Sequence, residues 1–325
     1  MVTGFEGVSR MNAFWHTWRR EIIRGAVLFF GVIAIGLCVR YVFFRARQGV
    51  LDNLPVALSE LKGLRNLRDL GANFDPDLNS GPRHAAETWT YRAKLAPKQW
   101  LWIRNANGSV RVEPAAGDSV EITAVKSYGR SDPHTVRLEA VPFGDGVAVC
   151  AVWPHTGRPG GGSHCGPGDQ FKQMSLRRGD VMVDFTVRLP KRVRLGATTL
   201  SGDVHVSGAT APLVASTVNG AVDVATSQGP VRAVSVNGDV RARMSAFGDT
   251  GEVSLFTVNG SATAELPARL DATVEASTVN GSIETDYPLE VSGKISKHLK
   301  GTLGEGGRKV HLTTVNGSIN LKQVR

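Results

Sequence analysis

The phrase Thr-Val-Asn-Gly occurs four times in this chain, at residues 217–220, 257–260, 278–281 and 314–317. Two variants extend the series, Thr-Leu-Ser-Gly at 199–202 and Ser-Val-Asn-Gly at 235–238. The glycines stand at 202, 220, 238, 260, 281 and 317, so the steps are 18, 18, 22, 21 and 36 residues. A repeat of about 20 residues is one supersecondary unit, too small to bury its apolar face except against its neighbours. The last step equals two of 18, and Leu299-Lys300-Gly301 reads as a degenerate copy inside it.

Aligning the copies on glycine brings out their columns. Two places after it stand Val204, Val222, Val240, Ala262, Ile283 and Ile319, and three places after it His205, Asp223, Arg241, Thr263, Glu284 and Asn320. Apolar and polar columns thus alternate with period 2, the signature of a half-buried strand. A second strand precedes the glycine, with Leu195, Leu213, Val231, Val253, Val274 and Val310 seven places upstream. Val218, Val236, Val258 and Val279, two places upstream, read as a further buried column, which requires the inward parity to slip at a corner. Asn-Gly then marks a tight turn. The pairs Asn219-Gly220, Asn237-Gly238, Asn259-Gly260, Asn280-Gly281 and Asn316-Gly317 read as a structural turn ladder. The expected fold class is all-β, a β-solenoid of 18–22-residue coils, with regular coils over 191–325 of a domain spanning 86–325.

The N-terminal quarter differs. After a short segment, 1–24, residues 25–44 carry one charge, Arg40, and are long enough to cross a bilayer as a transmembrane helix. Trp15, Trp18, Tyr41 and Phe43 supply interfacial aromatics. No small-residue cleavage site follows, which favours an uncleaved anchor, and four arginines before the span against three after it lean toward a cytoplasmic N-terminus. Leucines at 54, 58, 61, 64, 67 and 70 give an amphipathic helix or stalk over 50–73, and 74–85 reads as a linker. Beyond it, Trp100–Ile103 and Val110–Val112 flank Asn107-Gly108 as a hairpin-like, imperfect copy of the repeat.

The phrase Thr-Val-Asn-Gly-Ser-Ile, the run Val187-Arg188-Leu189-Pro190 before the first regular coil, and the closing Gly301-Thr302-Leu303-Gly304-Glu305-Gly306-Gly307 resemble the bacterial putative-adhesin family. The resemblance covers roughly residues 90–325. It implies a β-solenoid of unknown function, often on a membrane-anchored chain, with no agreed substrate.

Chemistry-bearing residues are few. Cys150 and Cys165 flank a glycine-rich loop and are disulfide candidates in an oxidising compartment, with a zinc site including His155 and His164, or two free thiols, as the other readings. Asp203 and Asp239 hold equivalent places two coils apart, near the spacing of an inverting carboxylate pair, but aspartate after a turn glycine is also ordinary turn chemistry. His205, Asp223 and Arg241 read as charge pairing across a wet face. No phosphate loop, catalytic triad, cofactor motif or nucleic-acid signature is present, so neither a cofactor nor a nucleic-acid partner is expected. The net charge of +9 is compatible with anionic polymers or lipid headgroups without requiring either. The sequence therefore points to a non-enzymatic, single-span membrane protein with an extracytoplasmic solenoid serving as a scaffold or binding surface in the cell envelope. Its partner would be an envelope protein or a polysaccharide. An envelope-stress regulator and a polysaccharide-active enzyme are the alternatives.

Overall fold

The structure, a computed structural model, describes residues 82–153, 165–166, 180–247, 251–288, 290–291 and 297–324. The spans expected from the sequence to form a transmembrane helix, 25–44, and an amphipathic helix, 50–73, lie outside the described residues, among which no helix is long and apolar enough to cross a membrane.

Strands β1 (His84–Lys94), β2 (Trp100–Arg104), β3 (Val110–Pro114), β4 (Ser119–Tyr128), β5 (Arg137–Phe143), β6 (Gly146–Val152) and β7 (Met182–Leu189) come first. Next come β8 (Arg194–Thr198), β9 (Val204–Ala209), β10 (Leu213–Ser216), β11 (Val222–Thr226), β12 (Val231–Val234) and β13 (Val240–Met244). The chain continues through β14 (Glu252–Asn259), β15 (Ala262–Leu266), β16 (Ala272–Asn280), β17 (Ile283–Thr285), β18 (Glu290–Val291), β19 (His298–Leu303), β20 (Arg308–Asn316) and β21 (Ile319–Gln323). Each coil places one strand in each of two facing sheets. The first sheet runs β1-β4-β7-β3-β9-β11-β13-β15-β21-β17, and the second β18-β19-β16-β20-β14-β12-β10-β8-β2-β6-β5.

Coils stack in parallel with like residues paired: Leu213 with Leu195 and Val231 in the second sheet, Val222 with Val204 and Val240 in the first. These two columns face each other and are buried, so a continuous aliphatic core runs between the sheets. Burial of such a valine or leucine contributes about 1.5–3 kcal/mol. Residues 100–114 join the stack in the same way, β2 beside β8 and β3 beside β9. They form a full coil rather than a hairpin, because their two strands lie in different sheets.

Three expectations change. The inward parity does not slip before the corner: the column three places before glycine, Thr199, Thr217, Ser235, Thr257, Thr278 and Thr314, is the buried one. Val218, Val236 and Val258 are half-buried and Val279 is 57 % exposed, so these four are not the buried neighbours the sequence suggested. Hydroxyls are absent from any apolar pattern, and that misdirected the parity. Second, coil order departs from chain order. The coil β20–β21 inserts between β14–β15 and β16–β17, so Thr263 meets Asn320, and Asn320 then meets Glu284. Third, Leu299-Lys300-Gly301 belongs to β19, which runs antiparallel to β16 and is no coil. The turn after β19 crosses the start of β16, where the Glu305 N–H donates to Asp271 Oδ1 at 3.0 Å, and the chain re-enters as β20 on the other side of β16.

Candidate functional site

The corners show what the repeated phrase does. The buried hydroxyl of each coil donates to the glycine carbonyl of the neighbouring coil: Thr199 to Gly108, Thr217 to Gly202, Ser235 to Gly220, Thr257 to Gly238, Thr314 to Gly260 and Thr278 to Gly317, all at 2.8–2.9 Å. A bond of this kind contributes about 1 kcal/mol net, and losing its donor leaves a buried carbonyl unpaired. One residue beyond the half-exposed valine, exposed asparagines form an amide ladder: Asn237 Nδ2 donates to Asn219 Oδ1, Asn259 to Asn237, Asn316 to Asn259 and Asn280 to Asn316, each at 2.8 Å. Asp203 and Asp239 complete the corner. Their Oδ1 atoms accept from the backbone N–H of Ala221 and Ser261 in the next coil, both at 2.8 Å. Asp184 does the same for Ser109. These carboxylates cap turns; Asp184 also accepts from the Ser109 hydroxyl at 2.7 Å, and Asp203 and Asp239 have no other partner among the described residues.

Away from the corners, the outer face of the first sheet is polar and changes residue at every step. His205 Nδ1 lies 3.3 Å from Asp223 Oδ2, the cross-strand pairing expected from the sequence. Two strands on, Arg241 Nε donates to Glu265 Oε1 at 2.8 Å and Arg243 Nε to Glu265 Oε2 at 2.5 Å. The Glu265 side chain is only 11 % exposed, whereas the arginines are about half exposed, at 49 % and 53 %. Burial alone would raise the Glu265 pKa, but hydrogen bonds and charge from Arg243 and Arg241 outweigh it and hold the carboxyl below its ordinary 4.5. Beside this pair opens a cavity of ≈ 640 Å³ lined by Arg243, Glu265, Asp286, Lys322, Gln323 and Val324. Next to the lining residue Asp286, the buried Tyr287 hydroxyl donates to Leu266 O at 2.7 Å, and burial followed by the nearby Asp286 pushes its pKa up to about 12. The cavity exists because β21 lies between β15 and β17, bringing together residues up to 81 positions apart in the chain (Arg243 and Val324). Sequence columns taken in chain order could not find it. With β21 in its true place, the row Arg243, Glu265, Lys322 of alternating sign would have marked it.

The second sheet carries a smaller apolar cluster on its outer side. Cys150 and Cys165 are joined by a disulfide, with Cα atoms 5.6 Å apart, and pack with Trp102, Ala148 and Val152. His155 and His164 lie outside the described residues. Trp100 and Trp102 stack with ring centroids 4.9 Å apart, and the buried Arg104 guanidinium sits 4.4 Å over Trp102 while donating to Thr198 Oγ1 at 2.8 Å. At the start of the domain Asp180 holds a loop. Burial would raise its pKa, but backbone N–H groups of Arg130, Ser131 and Gly129 and the Ser131 hydroxyl keep it below its ordinary 3.8.

Residues 172–322 match the model of the Toastrack DUF4097 family. Among solved structures, the chain is similar to a putative cell adhesion protein from Clostridium sporogenes, at 12 % identity and a TM-score of 0.43 over 73 % of this chain and 100 % of that one. It is also similar to a putative adhesin from Bacteroides fragilis, at 9 % identity and a TM-score of 0.28 over 73 % of this chain and 97 % of that one. No curated protein matches the chain. The first described coil, 100–114, lies ahead of the family match yet shares its sheets and register. Residues 172–322 are thus similar to a Toastrack DUF4097 domain, a domain of unknown function.

Proposed function

We propose that this protein is an adhesin-like scaffold, anchored in the membrane by residues 25–44, whose solenoid stands outside the cytoplasm and meets an envelope protein or polysaccharide through the outer face of its first sheet. The observation that carries this reading is the contrast within each coil. Corner residues are consumed by coil-to-coil bonding, while the outer face around Arg241, Arg243, Glu265, Lys322 and Asp286 is charged, varied and open. A broad face of alternating charges suits many weak contacts that add through effective concentration. The disulfide favours an oxidising compartment. The reading involves no catalysis, since Asp203 and Asp239 each use an oxygen to cap the next coil.

The test is co-sedimentation of the full chain with isolated cell envelopes. Replacing Asp223→Asn, Lys322→Gln and Asp286→Asn together is expected to weaken binding several-fold. Replacing Ser254→Ala, Glu275→Gln and Lys300→Gln on the second sheet is expected to leave it unchanged. Equal loss in both variants, or sugar release by the wild-type chain that Asp203→Asn with Asp239→Asn abolishes, would contradict the reading.

A further inference from the structure

We propose that the Asn280-Gly281 corner is a modification site, at which Asn280 converts to aspartate or isoaspartate ahead of the other five Asn-Gly pairs of the chain, those at Asn107, Asn219, Asn237, Asn259 and Asn316. In such a pair the glycine nitrogen, after losing its proton to hydroxide, attacks the asparagine Cγ. A bond forms between that nitrogen and Cγ, the Cγ–Nδ2 bond breaks, and the amide leaves as ammonia with protons returned from water. The product is a succinimide ring. Water then adds to one of its two carbonyls: opening at Cγ yields aspartate, and opening at the backbone carbonyl yields isoaspartate. Nothing is oxidised or reduced. Glycine favours the attack because no Cβ hinders it. Within a fold, two things hold it back: a hydrogen bond that occupies the glycine N–H, and bonds that keep the asparagine side chain from turning.

The stack binds the glycine N–H of every pair but one, and it holds the side chains of Asn237, Asn259 and Asn316 on both sides. Gly108 donates to Ser201 O at 2.8 Å, Gly220 to Asn237 O and Gly238 to Asn259 O at 2.9 Å, Gly260 to Asn316 O at 3.0 Å and Gly317 to Asn280 O at 2.8 Å. In each case the N–H points into the next coil. The coil β16–β17 is the last in the stack, and the Gly281 N–H donates to no described residue. The side chains differ in parallel. Asn237, Asn259 and Asn316 each donate to one neighbour and accept from another, whereas Asn280 only donates, to Asn316 Oδ1. Asn219 is also held on one side only, but its glycine nitrogen is bound, and Asn107 is buried with its Nδ2 on Val181 O. Exposure does not separate the candidates, since the asparagines at 219, 237, 259, 280 and 316 are all exposed. Position in the stack does. The new carboxylate forms one residue from the Gly281 carbonyl, to which Lys297 Nζ already donates at 2.7 Å.

The inference is sharp because it depends on coil order. Were the coils stacked in chain order, Asn316-Gly317 would be terminal and would react first. The experiment incubates the full chain in mildly alkaline buffer and follows all six pairs by peptide mapping of aspartate and isoaspartate. Hydroxylamine, which cleaves the chain at a succinimide, gives a second readout. In the folded chain, conversion at Asn280 is expected to run about tenfold or more ahead of Asn237, Asn259 and Asn316, which have two more hydrogen bonds to break, and several-fold ahead of Asn219 and Asn107, which have one more. In concentrated urea the six rates are expected to converge. Asn316 reacting first, equal rates in the folded chain, no conversion at Asn280 while the unfolded chain converts, or a preference for Asn280 that survives unfolding would each overturn the proposal.

Discussion

The corners and the outer face of the first sheet belong to the same coils, yet they follow opposite rules. At the corners one bonding unit recurs: buried hydroxyl to neighbouring glycine carbonyl, exposed amide to neighbouring amide. Three residues past the glycine the face reads Arg111, His205, Asp223, Arg241, Thr263, Asn320, Glu284 along the stack, with a new residue at every step. Each corner residue bonds the backbone or the identical residue of its neighbour, so the fold requires it. An outer-face side chain bonds whatever stands beside it, so the fold tolerates variety and leaves the face free for a partner. If this division is real, substitutions at corners should be costly and those on the face mild, except where the face borrows buried structure.

The largest effect is expected at the corner glycine. Gly238 has φ +152°, and a Cβ there would lie 2.0 Å from the Gly220 carbonyl oxygen. Gly238→Ala should therefore cost about 3 kcal/mol or more, measured by urea denaturation. A loss below about 1 kcal/mol would show that the coils can part without penalty. Next comes the disulfide outside the corners. Its sequence separation is 15 residues, and reducing it should lower stability by about 3 kcal/mol on the loop-entropy argument. Reduced and oxidised chains melting together would show that the crosslink closes no loop the unfolded chain samples.

A smaller effect marks the one place where the face is partly buried. The folded-state pKa of Glu265 is depressed, so its contribution is present above the ordinary 4.5 and is lost as pH falls through the lower folded value. Glu265→Gln should cost about 1–2 kcal/mol at pH 7, the figure for bonds to charged groups discounted for two half-exposed arginines. The variant should also lose less stability than wild type on acidification below pH 4.5. Parallel acid limbs would remove Glu265 from the account. Asp180, likewise depressed, supplies a separate part of the acid limb below 3.8 that this variant should retain.

Much of this architecture was legible in the sequence. Period, strand pairs and like-on-like columns follow from glycine spacing and period-2 alternation, because stacking in register is the way such a repeat buries its apolar faces. Two things were not legible. Thr217 and its equivalents look like surface residues until the Gly202 carbonyl they satisfy is seen, and Val236 then moves to the half-exposed place between Ser235 and Asn237. Nor can identical phrases state which copy neighbours which. Thr314–Gly317 fits beside Gly260 or beside Gly281 equally well by pattern, and the crossing at Asp271 decides that it fits between them. The cavity around Glu265 inherits that ambiguity, since Lys322 reaches it only through the inserted coil.

The central claim is that the column facing inward at each corner is the hydroxyl and not the valine beside it. Urea denaturation of Thr257→Val and Val258→Asp, side by side, tests it most directly. Thr257 is fully buried with its hydroxyl on Gly238 O at 2.8 Å, so Thr257→Val should cost about 1 kcal/mol or more through the unpaired carbonyl although it adds an apolar group. Val258 is half-buried, so Val258→Asp should stay within about 0.5 kcal/mol of wild type. A neutral Thr257→Val together with a Val258→Asp that unfolds the chain would place the valine in the core and contradict the account.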